Sequence, residues 1–430
     1  MELRLDHLLA RLRRETESVL RAVDADPLLL KREIAGLVLA NASKELYTPQ
    51  QEHQLFAKGI VYRRDPYRLV SLPLIKIYNL GERNVTAADL TVLAREPNVR
   101  LQFLRKFDGS LIQVFRADGR VWFTTRGMIE GAYVRGGGED GEGGETFDYL
   151  GAARRLAEER YPRLLDDPRL LDGRTLLFEL IHPGSPKITD YGNRADLVLI
   201  AAFDQRQIGY LPHADVHHLG EEHGLTPVDA LSPPGATLAE QIDGLLASLA
   251  GTDQEGSVLN FERGGEVVYR VKVKSPDYLR LMRLMAYCTY EHTVELLDAQ
   301  PQLGDWPTFE AHLRTLGRET MPEELLGSYR AHFERFAAYR AACEELLRKA
   351  VTLSRELEAS LGGRAGMESG AFRKAFAARA VRSPARALLF SALDGKLDLA
   401  RVRQQCGSQD EVRALLDALA GEASVPGSCE

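Results

Sequence analysis

Between Phe56 and Phe203 apolar residues gather into short β-rich runs, whereas past Tyr278 they recur at helical spacing, an order that no regular strand–helix repeat produces. The runs are Gly59–Tyr62, Arg68–Leu72, Leu111–Phe115, Val121–Thr125, Leu176–Ile181 and Leu197–Phe203. Gly- and Asp-centred turns separate them, and Ala117-Asp118-Gly119 predicts a hairpin, because those residues tolerate the positive φ that a tight turn needs. Helices are predicted over residues 1–23, Phe147–Glu159 and Leu238–Leu249. Later ones cover Leu279–Tyr290, Phe309–Leu316, Glu323–Leu361 with breaks, Gly370–Ala380, Pro384–Leu393 and Glu411–Ala420. The expected fold class is α+β, an antiparallel-sheet domain over 1–281 followed by an all-α domain over 282–430.

Several function classes fall away at once. There is no G-x-G-x-x-G opening a helix, which argues against a nicotinamide enzyme. Cys288, Cys343, Cys406 and Cys429 form no CxxC pair, so neither a zinc ribbon nor a disulfide framework is expected. The start of the chain is charged and no run of 18 apolar residues occurs, which predicts a cytoplasmic protein without a membrane partner. Lys and Arg total 55 against 62 Asp and Glu, so a phosphate-binding surface has to be local. One candidate lies in 364–403, where Arg364, Arg373, Lys374, Arg379, Arg382, Arg386, Lys396, Arg401 and Arg403 face Glu368, Asp394 and Asp398. His213, His217, His218 and His223 read as surface residues of a short polar helix, and the glycine-rich Arg135–Glu145 as a surface loop.

Chemistry concentrates at Lys106-Phe107-Asp108-Gly109, just ahead of a strand. In an extended segment Lys106 and Asp108 point the same way, so the carboxylate is expected to orient the ammonium or a bound cation beside it, while Gly109 is expected to take a positive φ into the turn. A lysine attacks phosphorus only when neutral, so neighbouring cations or desolvation are expected to lower the Lys106 pKa. Further along stand Glu255-Gly256-Ser257-Val258-Leu259 and Val271-Lys272-Val273-Lys274-Ser275. Lys272 and Lys274 project from one strand face, an arrangement that suits a polyanion and also a solvated strand edge. Glu179 is a lone carboxylate in the apolar run Leu176–Ile181 and needs a partner there.

In this order and rough spacing, Lys106-Phe-Asp108-Gly109, Phe178-Glu179-Leu180, Glu255-Gly256-Ser-Val-Leu and Lys272-Val-Lys274-Ser resemble the covalent nucleotidyltransferases, the ATP-dependent ligases and mRNA capping enzymes. Lys58-Gly59-Ile60-Val61, the stretch Leu69–Leu80 and Lys272–Tyr278 are most similar to the phage T4 RNA ligase 1 group, over about residues 55–280. The resemblance implies an antiparallel adenylation domain with a helical domain after it. It also implies an ATP-dependent RNA ligase that joins a 3′-hydroxyl to a 5′-phosphate through lysyl-AMP and RNA-adenylate, with Mg2+ or Mn2+, in RNA repair; an end-healing kinase or phosphatase is a candidate partner that the sequence itself does not decide.

By carry-over Lys106 is the nucleophile, with Asp108 and Gly109 in its motif, and Lys272 and Lys274 bind the α-phosphate. Lys58, Lys76 and Arg126 take outer or RNA phosphates, Glu179 the ribose hydroxyl, and Glu255 the metal's water shell. Tyr191 is the candidate to stack on adenine, with a buried structural tyrosine as the equal alternative. Lys58 and Lys187 stand where the group carries arginine, which removes a bidentate fork at each place. Alternatives left open are a DNA ligase or another AMP transferase on the same core, and a non-catalytic nucleic-acid-binding module.

Overall fold

The structure is a computed structural model that describes residues 4–43, 45–46, 49–129, 147–185, 187–317, 321–363, 368–381 and 383–423. The predicted loop Arg135–Glu145 lies outside the described residues, as do Arg364, Arg382 and Cys429. The fold is α+β, with sheets that are antiparallel apart from two short parallel pairings and with helices alone in the last third. The chain divides into two compact units, Met1–Met282 and Arg283–Glu430. Among the described residues no helix is long and apolar enough to cross a membrane.

Two sheets of the first unit position the site. The larger runs in the order Gly209–Tyr210, Asp196–Asp204, Arg174–Ile181, Ser110–Ala117 and Arg120–Thr124, with Thr226–Pro227 alongside Asp196–Asp204. Its central strand is apolar on both faces because both are covered. Leu176 and Phe178 pack under helix Tyr149–Arg160, and Leu177 faces the opposite way. The second sheet runs Ala230–Leu231, Arg100–Lys106, Gly256–Arg263, Glu266–Lys274 and Tyr78–Asn79. Its outer face, with Leu259, Phe261, Val271 and Val273, is covered by helices Ala87–Ala94 and Leu238–Leu249. The two-residue period of a strand then turns Val258, Asn260, Arg270, Lys272 and Lys274 the other way.

Turn chemistry explains which strands were legible. Asp118 and Gly119 have φ of 51° and 74°, and join Ser110–Ala117 to Arg120–Thr124 as the sequence predicts. The hairpin Leu29–Ile34/Leu37–Ala42, part of a separate four-stranded sheet with Lys58–Arg64 and Tyr67–Ser71, escapes a sequence reading. Its positive-φ pair is Ala35-Gly36, and alanine is no turn signal. The single helix predicted over 1–23 is two, Leu5–Arg14 and Thr16–Ala25. Non-helical Glu15 lets the stripes Leu5, Leu8, Leu9, Leu12 and Val19, Leu20, Val23 both reach the core.

In the second unit the breaks predicted within Glu323–Leu361 do not occur: Glu323–Ser360 is one 38-residue helix. Tyr329, Phe333, Phe336, Tyr339, Cys343, Leu346 and Ala350 form its buried stripe at helical spacing. The exposed face carries the i,i+4 pairs Arg330–Glu334, Arg340–Glu344 and Glu345–Lys349. The predicted Leu279–Tyr290 is instead divided between Pro276–Ala286 and Tyr290–Ala299, where Thr289 caps the second helix through the His292 amide. In the basic stretch, Asp394 holds Arg373 and Asp298 holds Arg403.

Candidate active site

A cavity of about 320 Å³ opens where the inner faces of the two sheets meet, lined by Lys58, Lys76, Lys106, Arg126, Glu179 and Lys272 among others. Strand register brings the sequence motifs together there. Gly256 lies opposite Lys106 on one side and opposite Lys274 on the other, so Glu255, one residue earlier, falls between the two lysines. Its carboxylate bridges them, with Oε2 2.6 Å from Lys106 Nζ and Oε1 2.8 Å from Lys274 Nζ. Glu255 is 3 % exposed, so these are charge-assisted bonds in a largely dry place. Gly256 permits the approach: its φ is 142°, and a Cβ would come 2.1 Å from Val273 O.

Two expectations about the lysine motif change. The carboxylate that holds the Lys106 ammonium is Glu255, not Asp108. Asp108 Oδ2 instead accepts from the Ile188 and Thr189 amides at 3.0 and 3.3 Å, and its carboxylate also accepts from the Tyr278 hydroxyl. It thereby fastens the turn after Lys106 to the segment 187–189. Gly109 is absent from the positive-φ residues, and its role is proximity. A Cβ there would meet Leu180 O at 2.5 Å and Glu179 Cγ at 2.8 Å, and the bare amide donates to Glu179 Oε1 at 3.1 Å.

Electrostatics also depart from the simple expectation. Burial pushes Lys106 down, but Glu255, Glu179 and Asp108 outweigh it and hold the amine above the ordinary lysine value. The lowered lysines are its neighbours. Lys272 is pushed down to about 8 by burial and by Lys106 and Lys274. Lys58 is pushed down to about 8 by burial and by Arg126, Lys76 and Lys272. Neither Lys58 nor Lys272 forms an ion pair among the described residues, whereas Lys76 has Glu82 at 3.6 Å and Arg126 donates to Asn41 at 2.9 Å. Such a cluster is costly alone and complementary to several phosphate charges.

Burial raises Glu179 to about 7, with Lys106 opposing and Glu255 and Asp108 adding to the rise. A carboxyl whose folded-state pKa lies above its unfolded value costs stability as pH rises past the unfolded value, and the cost is complete above about 7. Glu179→Gln keeps the acceptor for Gly109 and should raise stability by about 1–2 kcal/mol at pH 8 with little change near pH 4. Thermal melting of both proteins at the two pH values checks this; an equal shift at both would detach it from Glu179 ionisation.

Tyr191 does not line the cavity. Its hydroxyl accepts from the Asp108 amide at 2.8 Å and its ring leans on Phe107, with centroids 6.1 Å apart. Lys187 rests over the Tyr149 ring, 5.7 Å from its centroid. The histidines form no metal site among the described residues: His213 bonds Val228 O, His217 pairs with Glu221, and His223 with Asp167. Sequence reasoning passed over Asn260 and Arg270, which line the cavity, and Tyr278, which holds Asp108. Arg270 was within reach of the alternation that selects Lys272 and Lys274, since it stands two residues earlier on the same face.

No family model matches the chain, and no curated protein matches it. Solved structures do. An archaeal ATP-dependent RNA ligase is similar at 14 % identity and a TM-score of 0.46, over 77 % of this chain and 82 % of that one. A provisionally assigned ATP-dependent DNA ligase from Aquifex aeolicus is similar at 17 % identity and 0.44, over 70 % and 76 %. A Naegleria gruberi RNA ligase variant with ATP and manganese is similar at 15 % identity and 0.35, over 48 % and 57 %.

Proposed function

We propose that this chain is an ATP-dependent RNA ligase that forms lysyl-AMP on Lys106, passes AMP to an RNA 5′-phosphate and seals that end to a 3′-hydroxyl. The observation that carries the reading is the Lys106–Glu255–Lys274 bridge at the rim of a cavity whose wall also holds the cations Lys58, Lys76, Arg126 and Lys272. A primary amine beside a phosphate-sized set of cations is the arrangement that nucleophilic attack on a nucleotide α-phosphate requires. The motif order along the chain supports the same reading.

In the first step the Lys106 Nζ–phosphorus bond forms while the bond from the α-phosphorus to the bridging oxygen breaks, and pyrophosphate leaves. The amine must first lose a proton, and Glu255 Oε2 is its nearest acceptor. Lys272 and Lys274 neutralise charge on the α-phosphate, and Lys58, Lys76 and Arg126 take the departing phosphates. Asp108, tied to the 187–189 segment and Tyr278, keeps the amine's turn in place.

No three ligating side chains converge on a metal cage among the described residues. A magnesium ion that keeps most of its waters would be held through the Glu255 carboxylate. When bound, it supplies charge neutralisation on the substrate's phosphates.

The test is incubation with α-labelled ATP and magnesium, followed by nicked or single-stranded RNA and DNA. We expect label on the protein, chased by an RNA carrying a 5′-phosphate and released as the strand seals. Because Lys106 starts protonated, the second-order rate of labelling should rise about tenfold per pH unit across neutrality. Label chased by DNA alone would make the chain a DNA ligase, and RNA binding without label would make it a binding module.

A further inference from the structure

Arg270 is a cation of the cavity wall that this mechanism does not use. It is 5 % exposed and forms no ion pair among the described residues. Its Nε donates to Asn260 Oδ1 at 3.1 Å, directly across the strand pair, and its guanidinium lies 4.4 Å from the Tyr210 ring centroid. The Tyr210 hydroxyl is itself committed to Pro73 O and the Ile75 amide. Arg270 lines the cavity, and among the described residues its two Nη groups have no protein acceptor. A guanidinium this buried is poorly served by water, so an acceptor on a ligand is its natural counterpart.

The surroundings say which part of a ligand that is. Lys58, Lys76, Arg126 and Lys272 act on one another electrostatically, and Lys272 acts on Lys106 and Lys274 as well. The titratable groups that act on Arg270 are Tyr210 and Glu262 instead. Arg270 thus stands apart from the phosphate-binding cluster, two residues and ~7 Å along the strand from Lys272. The cavity wall also carries the apolar side chains of Leu104, Phe107, Ile200, Val228 and Val258, which suits a flat ring.

The geometry points to Arg270 and Asn260 as the base-reading end of a nucleotide cavity, where the Arg270 Nη groups and Asn260 Nδ2 donate to ring nitrogens of the adenine. The Arg270 Nη groups and Asn260 Nδ2 are donors, and Asn260 Oδ1 already accepts from Arg270 Nε, so this end favours acceptor atoms of the base over its amino group. The assignment rests on the reading of the cavity as an ATP site and deepens it.

Equilibrium binding to the full chain, with divalent cation withheld so that no adduct accumulates, tests it. The ligands are ATP, its 1-deaza, 3-deaza and 7-deaza analogues, and inorganic tripolyphosphate. For the wild type, at least one deaza analogue should bind tenfold or more weaker than ATP. In Arg270→Met, ATP should weaken by a similar factor, that analogue should weaken no further, and tripolyphosphate should bind as before, which also shows that the variant is folded. Arg270→Lys, which keeps the charge without the fork, should behave like Arg270→Met toward ATP. Wild-type ATP binding indifferent to all three deaza substitutions would overturn the assignment without help from any variant. Loss of tripolyphosphate binding in Arg270→Met would make Arg270 a phosphate residue and overturn it too. A wild type that neither binds ATP nor becomes labelled by ATP with magnesium would overturn the ligase reading along with it, whereas covalent labelling that persists in the face of either other failure would leave that reading standing.

Discussion

Lys106→Ala should form no covalent nucleotide adduct, a loss of at least about 10⁴-fold, because the other amine on the Glu255 bridge, Lys274, serves the α-phosphate in the proposed mechanism. Lys106→Arg should fail equally, since a guanidinium stays protonated and cannot attack phosphorus. Neither change should unfold the protein, because Glu255 keeps Lys274 as its partner at 2.8 Å. The two later steps offer an internal control. RNA supplied already adenylated needs no lysine nucleophile, so sealing of that substrate should survive in Lys106→Ala while ATP-driven sealing disappears. Gel analysis of both reactions with the same preparation checks this; ATP-driven sealing by Lys106→Ala would remove Lys106 from the chemistry.

Glu255→Ala should be damaging twice over. It strips the counter-charge from two lysines whose side chains are only 18 % and 15 % exposed, beside Lys272, which is already pushed down to about 8. Breaking a buried pair by deleting one partner leaves uncompensated charge, and partial access of water to these lysines limits the loss to about 2 kcal/mol. Labelling by ATP should slow on the order of 10²-fold or more, because the amine loses its nearest proton acceptor and the metal its carboxylate. Urea unfolding together with labelling rates at saturating ATP would measure both effects. Lost stability with an unchanged labelling rate would reduce Glu255 to a structural bridge.

Local signals carried a good part of this architecture. Strand alternation told which way Lys272 and Lys274 point, and the apolar run Leu176–Ile181 marked a strand covered on both faces with Glu179 as its exception. What escaped depends on pairing between distant segments. No local rule places Glu255 between Lys106 and Lys274; the register of three strands does. Asp108 is next but one to Lys106 and so looked like its partner, yet the chain turns after Lys106 and gives that carboxylate to the 187–189 amides. Gly109 was expected to permit a conformation and instead permits a contact, a distinction visible only once Leu180 and Glu179 are beside it. Arg270 was overlooked because motif reasoning stopped at the lysines, although the same two-residue period selects it.

Covalent attachment at Lys106 is the central claim. Intact mass measurement after incubation with ATP, magnesium and pyrophosphatase, followed by fragmentation of the adduct-bearing peptide, tests it directly. The account predicts a gain of one adenylyl group, labile in acid and stable in base as a phosphoramidate is, localised to Lys106. No gain in mass, or an adenylyl group carried on Lys272, Lys274 or any residue outside the cavity, would contradict it.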